Sequence, residues 1–344
     1  MPLSADPFFY YRNRAPYINN YMFSIQREIT SRTLLTVSYV GNQGHHILAV
    51  VPVNTGKPAL CLSIPACGPF GEDTTYTNSV GQTVQGTRVG QGTDYGENTA
   101  DESVANSSYN AIEATLRYRH NGSQFLLSYT YAKSIDQGSN IGEQLNPINS
   151  RQSRAISAWD QKHTFIASYK WSLPVEKVVH RSNRLTTDWS ASGTTRFATG
   201  FPVTLYDNSD NSLLGTLGNG VNNYLLDTPQ YLPGPLKINN NGRNARPAFN
   251  TTLFPEEAIG QLGNAKRRVF YGPGTSNFDL TLQKTVRLAE ARSLDFRAEA
   301  FNAFNHTQFY GPASVDGQVE DPNFGHIVST AEPRLVQFVA KFNF

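Results

Sequence analysis

The stretch YNAIEATLRYRHNGSQFLLSYTYA, Tyr109–Ala132, decides the fold. Before the central Asn121-Gly122, residues Ile112, Ala114, Leu116 and Tyr118 share one face of an extended chain, and Glu113, Thr115, Arg117 and Arg119 share the other. After it, Phe125, Leu127, Tyr129 and Tyr131 lie on one face, with Gln124, Ser128 and Thr130 opposite. Side chains alternate across a strand, so each half reads as a strand with one apolar and one polar face. Asn-Gly between two such runs is the strongest short-range signal for a tight hairpin.

The same period of two recurs outward from this hairpin, and helical periodicity is scarce. Upstream, strands are expected at about Asn20–Ile29 and Arg32–Val40; downstream, at about Lys162–Trp171, Thr187–Phe197, Asn277–Leu288, Ser293–Phe304 and Leu335–Phe344. With the central pair these make nine strands. Their connections alternate in length. Thr30-Ser31, Asn121-Gly122, Ser172 to about Leu185, and Ala289–Arg292 are short or medium, whereas 42–108, 133–161, 198–276 and 305–334 are long. In an up-and-down sheet this puts every short turn at one end and every long loop at the other. That asymmetry belongs to outer-membrane barrels, with short periplasmic turns and long extracellular loops. Long structureless loops are uncommon inside compact soluble domains. The expected fold class is therefore all-β, an antiparallel up-and-down transmembrane barrel. A soluble β-sandwich or propeller explains the alternation but not the ordering of the loops.

Composition agrees. The 344 residues are 39% hydrophobic and 16% charged, both low beside the about 45–50% and about 25% of soluble domains. The 17 Tyr and 20 Phe suit strands. A net charge of +2 does not suggest a nucleic-acid partner. No run approaches the about 18 apolar residues of a membrane-spanning helix, but a barrel strand needs only about 9–11 residues with one apolar face. No signal peptide is visible after Met1, so either the protein is cytosolic or its true N-terminus lies upstream; the strand pattern favours the second.

The run NFDLTLQKTVRLAEARSLDFRAEAFNAFNHTQF, Asn277–Phe309, strongly resembles the penultimate hairpin of TonB-dependent receptors, particularly the Oar-like subgroup with a carboxypeptidase-regulatory-like N-terminal domain. SIQREITSRTLLTVSYVGNQGHHI (Ser24–Ile47) and YNAIEATLRYRHNGSQFLLSYTYAKSID (Tyr109–Asp136) look like earlier hairpins of that family, and RLVQFVAKFNF resembles its closing strand. The resemblance implies a barrel of about 22 strands around an N-terminal plug. Residues 1–344 would then be a C-terminal part that begins in an extracellular loop and carries no plug. It also implies partners: outer-membrane lipid, the barrel-assembly machinery reading the terminal aromatics Phe344 and Phe342, and the TonB energy-coupling complex acting through the missing plug. The ligand is unknown; siderophore, glycan and peptide all remain open. A passive or adhesive barrel (porin- or adhesin-like) and a soluble secreted carbohydrate-binding β-protein are the alternatives.

Chemistry is sparse. Glu113, Arg117, Arg119, Arg297, Glu299 and Lys341 are expected to line a wet lumen. Tyr39, Tyr129, Tyr131, Tyr169, Trp171, Trp189 and Phe197 are expected at the lipid interfaces, where amphipathic rings sit well. Cys61 and Cys67, in a Pro/Gly-rich segment, are candidates for a small loop disulfide. His45-His46 reads as a loop-base pair rather than a metal site, because neighbours on an extended chain point apart. The DNSDNS run, Asp207–Ser212, is oxygen-rich but lacks the Gly and terminal Glu of an EF-hand loop; it is expected to be solvated. Gly90, Gly92 and Gly96 miss the dinucleotide spacing. Glu72-Asp73 and Asp101-Glu102 read as solubilising loop charges. No catalytic constellation, metal or cofactor is expected, and the chain is not expected to be an enzyme.

Overall fold

The computed structural model describes residues 8–140, 142–215, 227–239, 245–289, 292–309, 311 and 313–344. Parts of the expected loops 133–161, 198–276 and 305–334, and residues 1–7 of the expected starting loop 1–19, fall outside these residues. Nine long strands form one antiparallel sheet in sequence order: β1 (Tyr17–Thr30), β2 (Thr33–Pro52), β3 (Thr99–His120), β4 (Ser123–Asp136), β5 (His163–Leu173), β6 (Trp189–Ala198), β7 (Thr275–Ala289), β8 (Arg292–Phe301) and β9 (Leu335–Asn343). Strands β1 and β9 are its two edges, each paired on one side among the described residues. Two small pieces attach to it: Phe8–Phe9 runs parallel to Ala100–Asp101, and Ala155–Ile156 pairs with the end of β4. No helix among the described residues is long and apolar enough to cross a membrane.

The register aligns the two faces across the whole sheet. One row joins Ile25, Val37, Ala114, Tyr129, Phe165 and Phe197. Another joins Tyr118, Phe125, Tyr169, Gly193, Leu280, Ala300 and Val336. On the opposite face, Arg119, Gln124, Lys170, Ser192, Thr281, Glu299 and Gln337 make a polar row. A one-residue slip at any strand would exchange the faces. The turns pin the register. At the β3–β4 hairpin His120 pairs with Ser123, and both Asn121 (φ 46°) and Gly122 (φ 76°) are left-handed. That is the backbone of a type I′ turn, which Asn-Gly adopts at little cost.

Several strands outrun their sequence signal. Strand β2 continues to Pro52 and β3 starts at Thr99, so the connection between them is 53–98 rather than 42–108. At about 3.3 Å per residue the 20 residues of β2 far exceed an apolar band about 25 Å tall. The loop-side half therefore stands clear of lipid, where nothing demands an apolar face. The His pair sits inside β2, at a bulge where His46 has φ 54° and the pairing shifts between Gly44 and Ile47. Likewise Asp101-Glu102 belongs to β3, not to a loop.

Burial is inverted relative to a soluble protein. The apolar strand residues are open: Phe338 is 82% exposed and Trp171 53%. Buried apolar side chains gather instead in the connections, where Val203, Leu205, Phe249, Phe254, Phe270 and Val315 form a core. Charge also lies on the apolar face, at Arg27 opposite Leu35 and at the buried Lys284. Lys284 lies at the turn end, donates to the Thr187 carbonyl and sits over the Trp189 ring at 5.8 Å, so its charge reaches the polar boundary along its own stem.

The face assignment is testable by substitution. Leu127 lies between Leu116 and Ala167, midway between the aromatic rows, whereas Ser128 lies on the opposite face between Thr115 and Ile166. Leu127→Arg is expected to cost about 2–4 kcal/mol of folding stability in lipid vesicles, and Ser128→Arg less than about 1 kcal/mol. Urea titration followed by heat-modifiable gel migration measures both; equal costs would refute the assignment.

Candidate functional site

The candidate site is the polar face together with the folded cap that the long connections build at one end of the sheet. Of the lumen candidates, Glu113 lies between Ser38 and Thr130, Arg117 between Leu34 and Leu126, and Arg119 beside Gln124. Arg297 pairs with Glu299 at 3.1 Å, Glu299 also accepts from the Gln337 amide, and Lys341 stands opposite Asp295. All six are on the polar face. An open cavity of about 620 Å³ runs along that face past Arg117, Arg119, Lys170 and Asp279. A second, of about 450 Å³, lies where connection 302–334 meets Arg196, Asn277 and Asp279. Phe342 pairs with Leu294 in the last ladder; Phe344 follows the strand, 94% exposed, its ring stacked on Phe342 at 6.0 Å.

Connection 199–274 is the hub of the cap. Gly56 N–H donates to Leu214 O (2.7 Å) and Arg88 Nη2 to Gly215 O (3.1 Å), joining connection 53–98 to it. Tyr206 N–H donates to Gly317 O and Val319 N–H to Tyr206 O, joining connection 302–334. Connection 137–162 is tied in by ions: Glu143 bridges Arg267 and Arg268, all three nearly solvent-free. Arg267 Nη2 also donates to Ser153 O (2.8 Å), and Arg268 Nε to Thr204 Oγ1 (2.9 Å). Burial alone would raise the Glu143 pKa, but the two guanidinium groups outweigh it and hold the carboxyl below its ordinary 4.5. Beside this bridge a cavity of about 370 Å³ is lined by Trp159, Tyr206, Arg268 and Asp316. In connection 53–98, Cys61 and Cys67 are joined by a disulfide, and Asp73 pairs with Arg88 at 2.7 Å.

Two expectations of solvated loop charge are corrected. The DNSDNS segment is inside the cap: Asp207 and Asp210 are fully buried and Ser212 nearly so. Glu72 is buried too, at 3% exposure. Burial, reinforced by neighbouring carboxylates, pushes Glu72 up to about 8, Asp227 to about 7, Glu257 to about 9 and Glu320 to about 7. Asp207 moves the other way: burial would raise it, but the adjoining Glu320 and Glu257 carboxyls and the donors of Ser209 outweigh that and lower it. The density of oxygen donors in 207–212 was the one sequence signal for this cluster. Nothing in the spacing of Asp227, Glu257 or Glu320 announced that they would join it.

A single hydrogen-bonded sheet with an in-register apolar face, two levels of aromatic side chains on it and a cap at one end defines the wall of an outer-membrane β-barrel. The chain belongs to the outer membrane beta barrel domain family, whose family model matches residues 3–337, and its place is the outer membrane of Gram-negative cells. No curated protein sequence matches it. Among solved structures it is similar to the outer membrane transporter YddB from Escherichia coli (TM-score 0.49, 10% identity, covering 100% of this chain and 34% of that one). It is also similar to the siderophore receptor PirA from Acinetobacter baumannii (TM-score 0.45, 10% identity, 96% and 32%) and the FrpB iron transporter from Neisseria meningitidis (TM-score 0.44, 9% identity, 99% and 33%). The chain spans about a third of the length of these structures.

The Glu143 bridge makes a pH prediction. A carboxyl held below its unfolded value adds stability that is complete above that value and is lost as pH falls through the folded one. The cap should therefore loosen below about pH 4.5. At neutral pH, Glu143→Gln should cost about 3–5 kcal/mol by leaving the buried Arg268 without a carboxylate and Arg267 with only the more distant Asp136 (3.9 Å). Trypsin cleavage within 137–162 and 199–274, followed against pH and in the variant, checks both; a cleavage rate unchanged in Glu143→Gln would contradict the bridge's role.

Proposed function

We propose that the chain is the C-terminal part of the barrel of a TonB-dependent receptor. In this reading the long connections face outward and capture a ligand, and the intact protein imports it with TonB-derived energy. The observation that carries the reading is the alternation of short or medium turns with long connections that fold together into a cap at one end. A barrel with a passive channel needs no packed loop core, whereas a receptor needs a preformed surface on which to discriminate ligands. The resemblance of Asn277–Phe309 to the receptors' penultimate hairpin, Oar-like subgroup included, adds the energy coupling.

The two free edges support a larger barrel. Backbone groups in lipid need partners within the protein, so β1 and β9 each call for a neighbouring strand. Glu113, Arg117, Arg119, Arg297, Glu299 and Lys341 would then line the lumen, and Phe342 and Phe344 would serve as the signal to the barrel-assembly machinery. The reading is of a binding and transport protein, not an enzyme.

The test uses cells producing the intact receptor. Replacing connection 199–274 by a short Gly/Ser turn should leave a heat-modifiable barrel in the outer membrane yet abolish depletion of the cognate nutrient from the medium. An uncoupler that collapses the inner-membrane potential should mimic that loss. Depletion that persists both without the connection and under the uncoupler would exclude an energised receptor.

A further inference from the structure

We propose that Asp207, Asp227, Glu257 and Glu320 form a calcium site that locks the cap. Three of these acids are almost entirely buried, with Asp207 at 0%, Asp227 at 2% and Glu257 at 4% exposure. Three of the four have one oxygen fixed by donors. Asp207 Oδ1 accepts from Ser209 N–H (2.8 Å) and from its hydroxyl, Asp227 Oδ2 from Ser212 N–H (3.4 Å), and Glu320 Oε1 from Asn208 N–H. The remaining oxygens, Asp207 Oδ2, Asp227 Oδ1, Glu320 Oε2 and both of Glu257, have no hydrogen-bond partner. The acids are neighbours: Asp207 N–H donates to Asp227 O (3.1 Å), Glu320 Oε1 reaches the backbone of Asn208 next to Asp207, and the Glu257 carboxyl is close enough to interact with that of Asp207. Among the described residues no ion pair joins any of the four to Lys, Arg or His.

Acids gathered out of water in this way need a positive charge or shared protons. The fixed oxygens favour a cation, because each receives N–H or O–H donors, the partners of an ionised carboxylate. The donor set is oxygen throughout, which selects a hard ion. Calcium accepts six to eight oxygens in irregular geometry, whereas magnesium demands a near-octahedral shell and retains water. Among the described residues no three His, Cys, Asp or Glu side chains form a ready-made metal centre. The site is one that closes on its ion, with the longer Glu257 and Glu320 side chains moving inward and oxygens of segment 207–212 completing the shell. Because Glu320 belongs to connection 302–334 and the other three acids to the hub 199–274, the ion would clamp two connections together. The proposal stands independently of the transport reading.

The experiment uses the full protein purified from outer membranes in detergent, with terbium luminescence and calcium competition at pH 7.5. Trypsin cleavage at the exposed Lys237 of the hub is followed in calcium and in EGTA. Terbium should bind and be displaced by calcium, and calcium should slow cleavage at least tenfold. An Asp227→Asn, Glu257→Gln double variant should lose both effects while keeping a heat-modifiable barrel. A Glu72→Gln variant, outside the four, should keep them. The absence of any calcium response, or a response unchanged in the double variant, would overturn the site. Protection that appears on acidification to pH 5.5 in EGTA, with none from calcium, would overturn it in favour of shared protons.

Discussion

The structure depends on one constraint: in lipid, a strand's N–H and C=O groups find partners only in neighbouring strands. Sequential antiparallel pairing meets that demand with the shortest connections, and the order β1 through β9 is its direct result. Once the ladder is fixed, each side chain has only two directions. The alternation in Tyr109–Ala132 becomes a wall with a lipid side and a wet side, and every neighbouring strand must keep the same parity. The turn at Asn121-Gly122 holds it there with two left-handed residues that need no strained side chain.

The same constraint explains why the buried core lies outside the sheet. Lipid is as apolar as a leucine side chain, so outward-facing residues gain nothing by hiding from it. The hydrophobic effect operates only where water is the alternative, and here that is at the loop end. Phe249, Phe254 and Phe270 pack edge and face there much as in a small soluble domain. The cap is thus held by ordinary packing and ion pairs, and the wall by backbone hydrogen bonds. The two can respond separately to pH, salt or substitution.

This division also decided what could be read from the sequence. The strands were legible because their period of two is imposed residue by residue by lipid and lumen. The pattern gave out at the extensions His45–Pro52 and Thr99–Ala105, which are paired strand but lie beyond the apolar band: Ile47 to Val51 are apolar on both faces, and Ile47, Ala49 and Val51 pack with Ala105 against Leu145, so no period of two marks them. The cap was illegible for a different reason. Arg267 and Glu143 meet from connections far apart in sequence, as do Asp207 and Glu320, and no local periodicity reports such pairings. Oxygen-rich Asp207–Ser212 looked like solvated loop because a polar run is usually exposed; its burial follows from partners that only the folded cap supplies.

The hub's place in the chain gives the cap its mechanical meaning. Connection 199–274 leaves from β6 and returns at β7, yet it bonds to the connection above β2 and β3 and to the one joining β8 and β9. Strands remote from one another in the sheet are therefore coupled at the loop end without touching. In a sheet whose neighbours are about 4.8 Å apart, such a strap restrains curvature as well as loop position. Connection 302–334, bonded to the strap, gives polar-face residues such as Arg196 and Asp279 a neighbour from the cap. Any event that releases the strap, whether protonation of Glu143 or loss of the clamp on connection 302–334, alters the loop surface and access to the polar face together.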